Sequence, residues 1–350
     1  MYQILGSKQI WRFVWFFIML SGCNGVSGNN PGNGSSVGIS PSGYDAQNVL
    51  LLSDIHFNPY AECSKNILPC PSLKNLIENS GEQWSNYLNS TSINTYSEET
   101  NNAFLIRGFD NLALIAAEKK VKTIFITGDL LAHNFDGLYK TFAPAEYKEQ
   151  LTEFSSKTLL YVLQELHKRL PVDSKIYLVL GNNDNDSGNY AMQSEAFLNS
   201  VGTYLSGFID DNNKVKFMAS FSKGGYFSTP LSESVSLIGL NTNPISSTKP
   251  NESAAAEQLM WFKGELMNAK SNNKKIIIIQ HIPYGLDWYY SADEGKVSSV
   301  LDANLQAGYL KLLKQYASII TTIYVGHNHR EFFSSPNAAI PLIGTIAFNS

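Results

Sequence analysis

From residue 49 onward the chain alternates two hydrophobic rhythms. Short β-branched and aliphatic runs at 49–53, 123–127, 175–180, 234–240, 275–280 and 319–325 have the length and composition of strands. Between several of them, 102–119, 146–169, 254–269 and 303–316 carry apolar residues at three- and four-residue spacing, which predicts helices with one buried face. Strands alternating with helices imply an α/β architecture. The segment from about 72 to 99 is polar and lacks a clear period. It reads as a long loop holding one or two helical turns, of the kind that shapes access to a site.

The start of the chain follows another pattern. Lys8 and Arg12 precede an apolar run over 13–20, which is too short to span a bilayer and ends at Ser21, Gly22 and Cys23. That is the layout of an export signal. The run Leu20-Ser21-Gly22-Cys23 resembles a bacterial lipobox, whose cysteine is acylated and becomes the new N-terminus; a cleaved signal that happens to contain Cys23 is the alternative. Residues 24–44 are almost entirely Gly, Asn, Ser and Pro, a flexible tether without core-forming side chains. The chain is therefore expected to be exported. It would be lipid-anchored through Cys23 to the cell envelope, at the outer membrane or cell surface, and secreted otherwise. Asn24 after the cysteine, where an inner-membrane retention signal places Asp, leans towards the outer membrane. With Cys23 acylated, Cys63 and Cys70 remain, and an even pair in an exported chain reads as a disulfide, with two free thiols as the alternative.

Composition narrows the function class. A content of 43% hydrophobic residues supports a sizeable core, and a net charge of -4 argues against a nucleic-acid polymer as partner, since there is no excess of cations to neutralise phosphates. Any phosphate must be met locally.

Five strand-like runs end in clusters of metal-competent residues: Asp54 and His56; Asp129, with His133 four residues on; Asn182, Asn183 and Asp184; His281; and His327 with His329. In open α/β sheets, ligand sites form at the carboxyl ends of strands, so five clusters at five such ends point to one site. Imidazole and carboxylate together bind zinc, manganese or iron at about 2 Å, and a carboxylate can bridge two ions. Glycines before Asp129, Asn182 and His327 let the backbone turn tightly as it leaves a strand. Each cluster alone is weak, but five of the six histidines fall in the set. The sixth, His167, lies in a charged helical stretch and reads as solvated.

These blocks, in this order, resemble the calcineurin-like metallophosphoesterases. The match extends through Ser53-Asp54-Ile55-His56, Thr127-Gly128-Asp129-Leu130-Leu131-Ala132-His133, Gly224-Gly225-Tyr226-Phe227-Ser228, Leu240-Asn241-Thr242-Asn243, Gln258-Leu259-Met260-Trp261 and Gly326-His327-Asn328-His329-Arg330-Glu331-Phe332. Across 48–335 the chain is similar to the acid sphingomyelinase-like phosphodiesterases. The resemblance implies a four-layer α/β/β/α sandwich of two packed mixed β-sheets flanked by helices, formed here by residues 45–350 as the catalytic domain after a signal (1–22) and tether (23–44). It also implies two divalent metal ions, zinc in this branch, with manganese or iron as alternatives. Asp54, His56 and His329 would bind one ion, Asn182, His281 and His327 the other, and Asp129 would bridge them, so that an activated hydroxide attacks phosphorus in line.

The wider superfamily places an acid directly after the Asn, but this chain has Asn183, which cannot donate a proton as an acid. The branch offers His133 instead as general acid. The Gly-Asn-Asn-Asp block also resembles endopolyphosphatases. No saposin-like domain fits before Asn48, which favours a soluble phosphodiester or nucleotide over bilayer sphingomyelin, with a lipid headgroup retained as a substrate class. The chain stops soon after His329, where family members usually continue, and so reads as either minimal or truncated. A phosphomonoesterase or polyphosphatase would share every ligand, and a surface lipoprotein that binds phospho-ligands without cleaving them is the reading from another class.

Overall fold

Two sheets organise the chain, and the period-2 alternation of their strands assigns each side chain to one of two cores. The computed structural model describes residues 48–94, 99–285, 291, 295–296, 298–334, 340–345 and 347–348, so the signal, the tether and Cys23 lie outside the described residues. In chain order the elements are β1 (Val49–Leu52), α1 (Pro71–Glu78), α2 (Asn102–Glu118), β2 (Thr123–Ile126), α3 (Phe135–Phe142), α4 (Leu151–His167), β3 (Lys175–Leu178), α5 (Glu195–Leu205) and α6 (Asp211–Gly224). They continue with β4 (Phe227–Pro230), β5 (Val235–Leu240), α7 (Glu252–Ser271), β6 (Lys275–Gln280), α8 (Ala303–Gln315), β7 (Ile320–Val325), β8 (Phe332–Ser334) and β9 (Leu342–Gly344).

The first sheet is β1-β2-β3, all parallel. The second runs β4-β5-β6-β7-β9-β8, parallel from β5 to β9 with antiparallel strands at both edges. Ile277 and Ile279 of β6 and Tyr324 of β7 face the first sheet, where Tyr324 meets Phe125 of β2 with ring centroids 5.9 Å apart. Ile276 and Ile278, and Ile323 and Val325, point the other way into a second core closed by Phe262 and Leu266 of α7 and Tyr309 and Leu313 of α8. The outer face of the first sheet is covered by α2 and α4, through Leu105, Phe109, Leu159 and Leu163 among others. The order is helix, sheet, sheet, helix, and the alternation of apolar residues on both faces explains why the strands read as continuous hydrophobic runs.

The six anticipated strands are present, each within two residues of its expected bounds. The helical pattern over 146–169 divides: Ala145–Gln150 is a 3-10 turn, and the α-helix begins at Leu151. The aperiodic segment after residue 70 is held by a single large side chain. Trp84, on the 3-10 turn Gly81–Asn86, is fully buried and donates its indole N–H to the Leu76 carbonyl of α1 at 2.9 Å. Among the described residues no helix is long and apolar enough to cross a membrane.

Cys63 and Cys70 form a disulfide across a separation of seven residues. Closing so short a loop in the unfolded chain is worth about 2.5 kcal/mol in the chain-entropy account. Replacing both cysteines by serine is expected to lower unfolding free energy by about 2 kcal/mol in urea titrations, and unchanged stability would mean that the bridge constrains nothing in the unfolded chain.

Candidate metal centre

Parallel pairing of β1 with β2 continues past the strand ends and carries the site residues with it. Asp54 N donates to the Gly128 carbonyl at 2.9 Å, and His56 N to the Asp129 carbonyl at 3.0 Å. On the other sheet, Gly326 N donates to the carbonyl of His281 at 3.0 Å, tying the residue after β6 to the turn after β7. The cost of this convergence is visible in the backbone. Asp54, His56, Asp129, His327 and His329 all adopt positive φ, between 49° and 72°, making five of the nine non-glycine residues in that region among those described. Left-handed backbone in such residues is strained and persists where surrounding structure overrides it, as at functional sites.

The glycines preceding the ligands act by two means, where a tight turn alone was expected. Gly128 has φ 98° and supplies the turn. Gly181 does not need positive φ; it is required for space, since a Cβ there would lie 2.1 Å from Asp129 Oδ1. Gly326 is likewise hemmed in, by Ser53 Oγ.

All seven metal-competent side chains meet in one cluster, in two groups. In the first, His56 Nε2 lies 3.1 Å from His329 Nε2 and 3.9 Å from Asp54 Oδ1, and His329 Nε2 lies 3.4 Å from the same oxygen. In the second, Asn182 Oδ1 is 2.9 Å from His281 Nε2 and 2.8 Å from His327 Nδ1. Asp129 Oδ2 stands between them, 3.3 Å from His281 Nε2 and 3.9 Å from His56 Nε2. A tetrahedral ion with bonds of about 2 Å holds its donors roughly 3.3 Å apart, so these separations fit a pair of cations with Asp129 shared. Neutral imidazole, amide oxygen and carboxylate are donors that zinc, manganese and iron all accept.

Electrostatics agree with an uncompensated anionic site. Burial opposes ionisation of Asp129, but the imidazoles of His281 and His56 outweigh it and hold the carboxyl well below its usual range. Burial also disfavours a charged His281, yet Asp129 and Asp54 raise it to about 9, while burial together with His281 pushes His327 down to about 4.

His133 stands at the rim with its side chain half exposed. Its ring stacks on His56 at 4.0 Å between centroids, and its Nδ1 is 2.6 Å from Glu99 Oε1. With His56 and His329 it also forms a group able to hold an ion. Asn183 is turned inward to support Asp129, whose oxygens accept from the Asn183 backbone N at 2.8 Å and from its Nδ2 at 2.7 Å. His167 departs from its expected place in solvent: it is half-buried and packs edge-on against Phe208 at 4.9 Å.

Three further residues support the site, of which Asp184 was named from sequence only as a member of a cluster, and Tyr190 and Glu99 were not singled out. Fully buried Asp184 accepts from the backbone N–H of Leu130 at 2.7 Å, Leu131 at 3.0 Å and Gly181 at 2.9 Å, locking the turn that bears Asp129 to the one that bears Asn182. Burial and nearby Asp129 push its carboxyl up to about 7. Tyr190 Oη lies 3.4 Å from His327 Nε2, and Glu99 meets His133. Asp184 sits inside the Gly-Asn-Asn-Asp cluster, so its position was a signal; Tyr190 and Glu99 belong to no motif.

Comparison with known proteins agrees with this geometry. The family described as Calcineurin-like phosphoesterase matches residues 48–331. Acid sphingomyelinase-like phosphodiesterase 3b of Mus musculus is 24% identical over 290 residues, covering 81% of this chain and 57% of that protein. Sphingomyelin phosphodiesterase B of Dictyostelium discoideum is 22% identical, covering 82% and 41%. A cyclic GMP-AMP phosphodiesterase of Homo sapiens is 23% identical over 189 residues, covering 51% and 40%. The chain thus spans about half the length of the curated relatives it matches. A dimetal phosphatase from Danio rerio superposes with a TM-score of 0.50 at 12% identity, over 86% of this chain and 87% of that one, a likeness of fold.

Proposed function

The chain belongs to the calcineurin-like phosphoesterase family, and from that premise we propose that it is a dinuclear metal-dependent phosphodiesterase. The observation that carries this reading is the meeting of seven metal-competent side chains, delivered from five strand ends, in two donor groups with Asp129 between them. Asp54, His56 and His329 would hold one ion, and Asn182, His281 and His327 the other. Two divalent ions there, zinc by preference and manganese or iron as alternatives, supply positive charge for the phosphoryl oxygens and lower the pKa of a water.

This chain's own residues do the rest. Asn183 fixes the Asp129 oxygens, and Asp184 fixes the turns beneath them. His133 delivers a proton to the leaving oxygen; its hydrogen bond with Glu99 raises it above the ordinary imidazole value, which keeps more of it protonated near neutrality. The relatives act, by their names, on sphingomyelin or cyclic GMP-AMP, and both are phosphodiesters. The substrate class is therefore a small phosphodiester, a nucleotide or a lipid headgroup. The Cys63–Cys70 bridge supports an oxidising, exported location. Acylation of Cys23 would anchor residues 45–350, the catalytic domain, to the outer membrane or cell surface.

The test compares bis-p-nitrophenyl phosphate with p-nitrophenyl phosphate, with zinc and after chelation. Zinc-dependent cleavage favouring the diester is expected, with activity lost on chelation and regained on adding metal. Preference for the monoester would move the assignment to a phosphomonoesterase. Two bound metals with neither ester cleaved would sink the enzyme reading in favour of a binding protein.

A further inference from the structure

We propose that Glu99 is a positioning residue for His133, setting which ring nitrogen faces the reacting phosphate; this rests on the phosphodiesterase reading above. Glu99 Oε1 lies 2.6 Å from His133 Nδ1, the distance of a charge-assisted hydrogen bond. Carboxylate is an acceptor only, so Nδ1 carries the proton in that bond and Nε2 is the nitrogen left for chemistry. Stacking on His56 at 4.0 Å and 16° between planes holds the ring plane against the metal cluster, leaving the 180° flip about Cβ–Cγ, which exchanges Nδ1 with Cδ2, as the remaining freedom. The hydrogen bond to Glu99 removes it.

The backbone registers the pair. Phe57 bridges to both Thr100 and Leu131, so the segments bearing His56, Glu99 and His133 form one small parallel array. Thr100 N donates to the His56 carbonyl at 3.0 Å, Asn58 N to the Thr100 carbonyl at 2.8 Å, and Ala132 N to the Phe57 carbonyl at 3.2 Å. Thr100 is fully buried. Glu99 therefore enters the rim from a fixed main chain, although it closes the polar segment 72–99, which has no clear hydrophobic period to mark it. Glu99 Oε2 is buried without a hydrogen-bond partner among the described residues, so the pairing with His133 is the polar contact that this carboxylate makes there.

The attacking oxygen of water forms its bond to phosphorus as the bond from phosphorus to the leaving oxygen breaks. The electron pair goes to that oxygen, and the Nε2 proton of imidazolium His133 joins it. Neutral His133 then remains protonated on Nδ1, which still donates to Glu99, and the proton lost by water restores the imidazolium.

The experiment uses the zinc-loaded full chain and methyl aryl phosphates whose leaving group runs from p-nitrophenol to unsubstituted phenol. Glu99→Ala should slow the phenyl ester by about 10²-fold, the range of general acid catalysis, and the p-nitrophenyl ester by less than about 3-fold, because a good leaving group needs no proton. Glu99→Gln keeps an acceptor for Nδ1 and should recover most of the loss. Adding Glu99→Ala to His133→Ala should change the rate by less than about 2-fold, since the residues act as one unit. Zinc content should be unaltered in all of them. Nitrogen-15 NMR of the His133 ring should show a protonated Nδ1 that is lost in Glu99→Ala.

Equal slowing of both esters, additive losses, loss of zinc from either variant, or a His133 ring with bare Nδ1 would each overturn the assignment. If wild-type protein with bound zinc cleaves no ester, the phosphodiesterase reading is what has failed. The nitrogen-15 spectra then decide by themselves whether Glu99 orients His133.

Discussion

Asp129→Asn is expected to lower kcat/KM for bis-p-nitrophenyl phosphate by about 10³-fold, or ~4 kcal/mol of transition-state stabilisation. Bound zinc should fall from about two ions per chain to one or fewer. The substitution is nearly isosteric and therefore separates charge from volume. Asp129 is buried, its Oδ2 faces His281 Nε2 at 3.3 Å and His56 Nε2 at 3.9 Å, and both its oxygens already receive hydrogen bonds from Asn183. An amide in its place either presents NH₂ to donors that need an acceptor or turns it against the Asn183 donors. Each alternative leaves a buried polar group without its partner. The checks are metal analysis by mass spectrometry and initial rates, with far-UV circular dichroism to confirm an intact fold. Wild-type metal content and rate in the variant would remove Asp129 from the centre of the mechanism.

Gly181→Ala is expected to destabilise the protein by about 3 kcal/mol and to abolish metal retention at the same time. The new Cβ would sit 2.1 Å from Asp129 Oδ1 and 2.3 Å from the Asp129 backbone N. A flexible side chain could give way, but a backbone atom cannot move alone. Displacing it would pull the Leu130 and Leu131 N–H groups from Asp184 and shift Asp129 away from His281. The facing Gly128 is equally confined, with a Cβ there falling 2.6 Å from Gly181 N, so the two turns pass with room for no side chain on either. Gly207→Ala is the control: its Cβ would meet nothing within 4 Å, and stability should change by less than about 0.5 kcal/mol. Urea unfolding and zinc content read both variants. A stable, metal-replete Gly181→Ala protein would show that the close approach is not required.

Much of the framework was legible because its signals are local. The runs that became β5, β6 and β7 are apolar and bounded by polar residues, and α2, α7 and α8 repeat apolar residues at helical spacing. Other elements escaped for identifiable reasons. The α6 sequence Asp211–Gly224 mixes Asn, Lys and Ser with a weak apolar face, although Phe217 and Phe221 anchor it in the core. Helix α3 has only eight residues, β4 ends in Pro230, and β8 and β9 have three residues each, too short for a period to emerge. Their conformation is set by partners distant in sequence. The 3-10 turn Gly81–Asn86 belongs with them, since buried Trp84 organises a stretch that is otherwise polar.

The sequence by itself determined which metal-competent residue types stand at the strand ends, because donor chemistry belongs to the side chain wherever the strands lie in space. Asp54, His56, Asp129, Asn182, His281, His327 and His329 were chosen from those clusters by the family resemblance, without coordinates, and the fold brings their side chains together. Tertiary structure alone decided what surrounds them. Glu99 meets His133 across 34 positions, and Tyr190 approaches His327 across 137. The partition into two donor groups, the inward turn of Asn183 and the lock formed by Asp184 likewise depend on how the strand-end turns pack. The reason is physical: a ligand is specified by its own donor atoms, whereas its orientation is specified by hydrogen bonds and excluded volume from segments that the chain brings together only on folding.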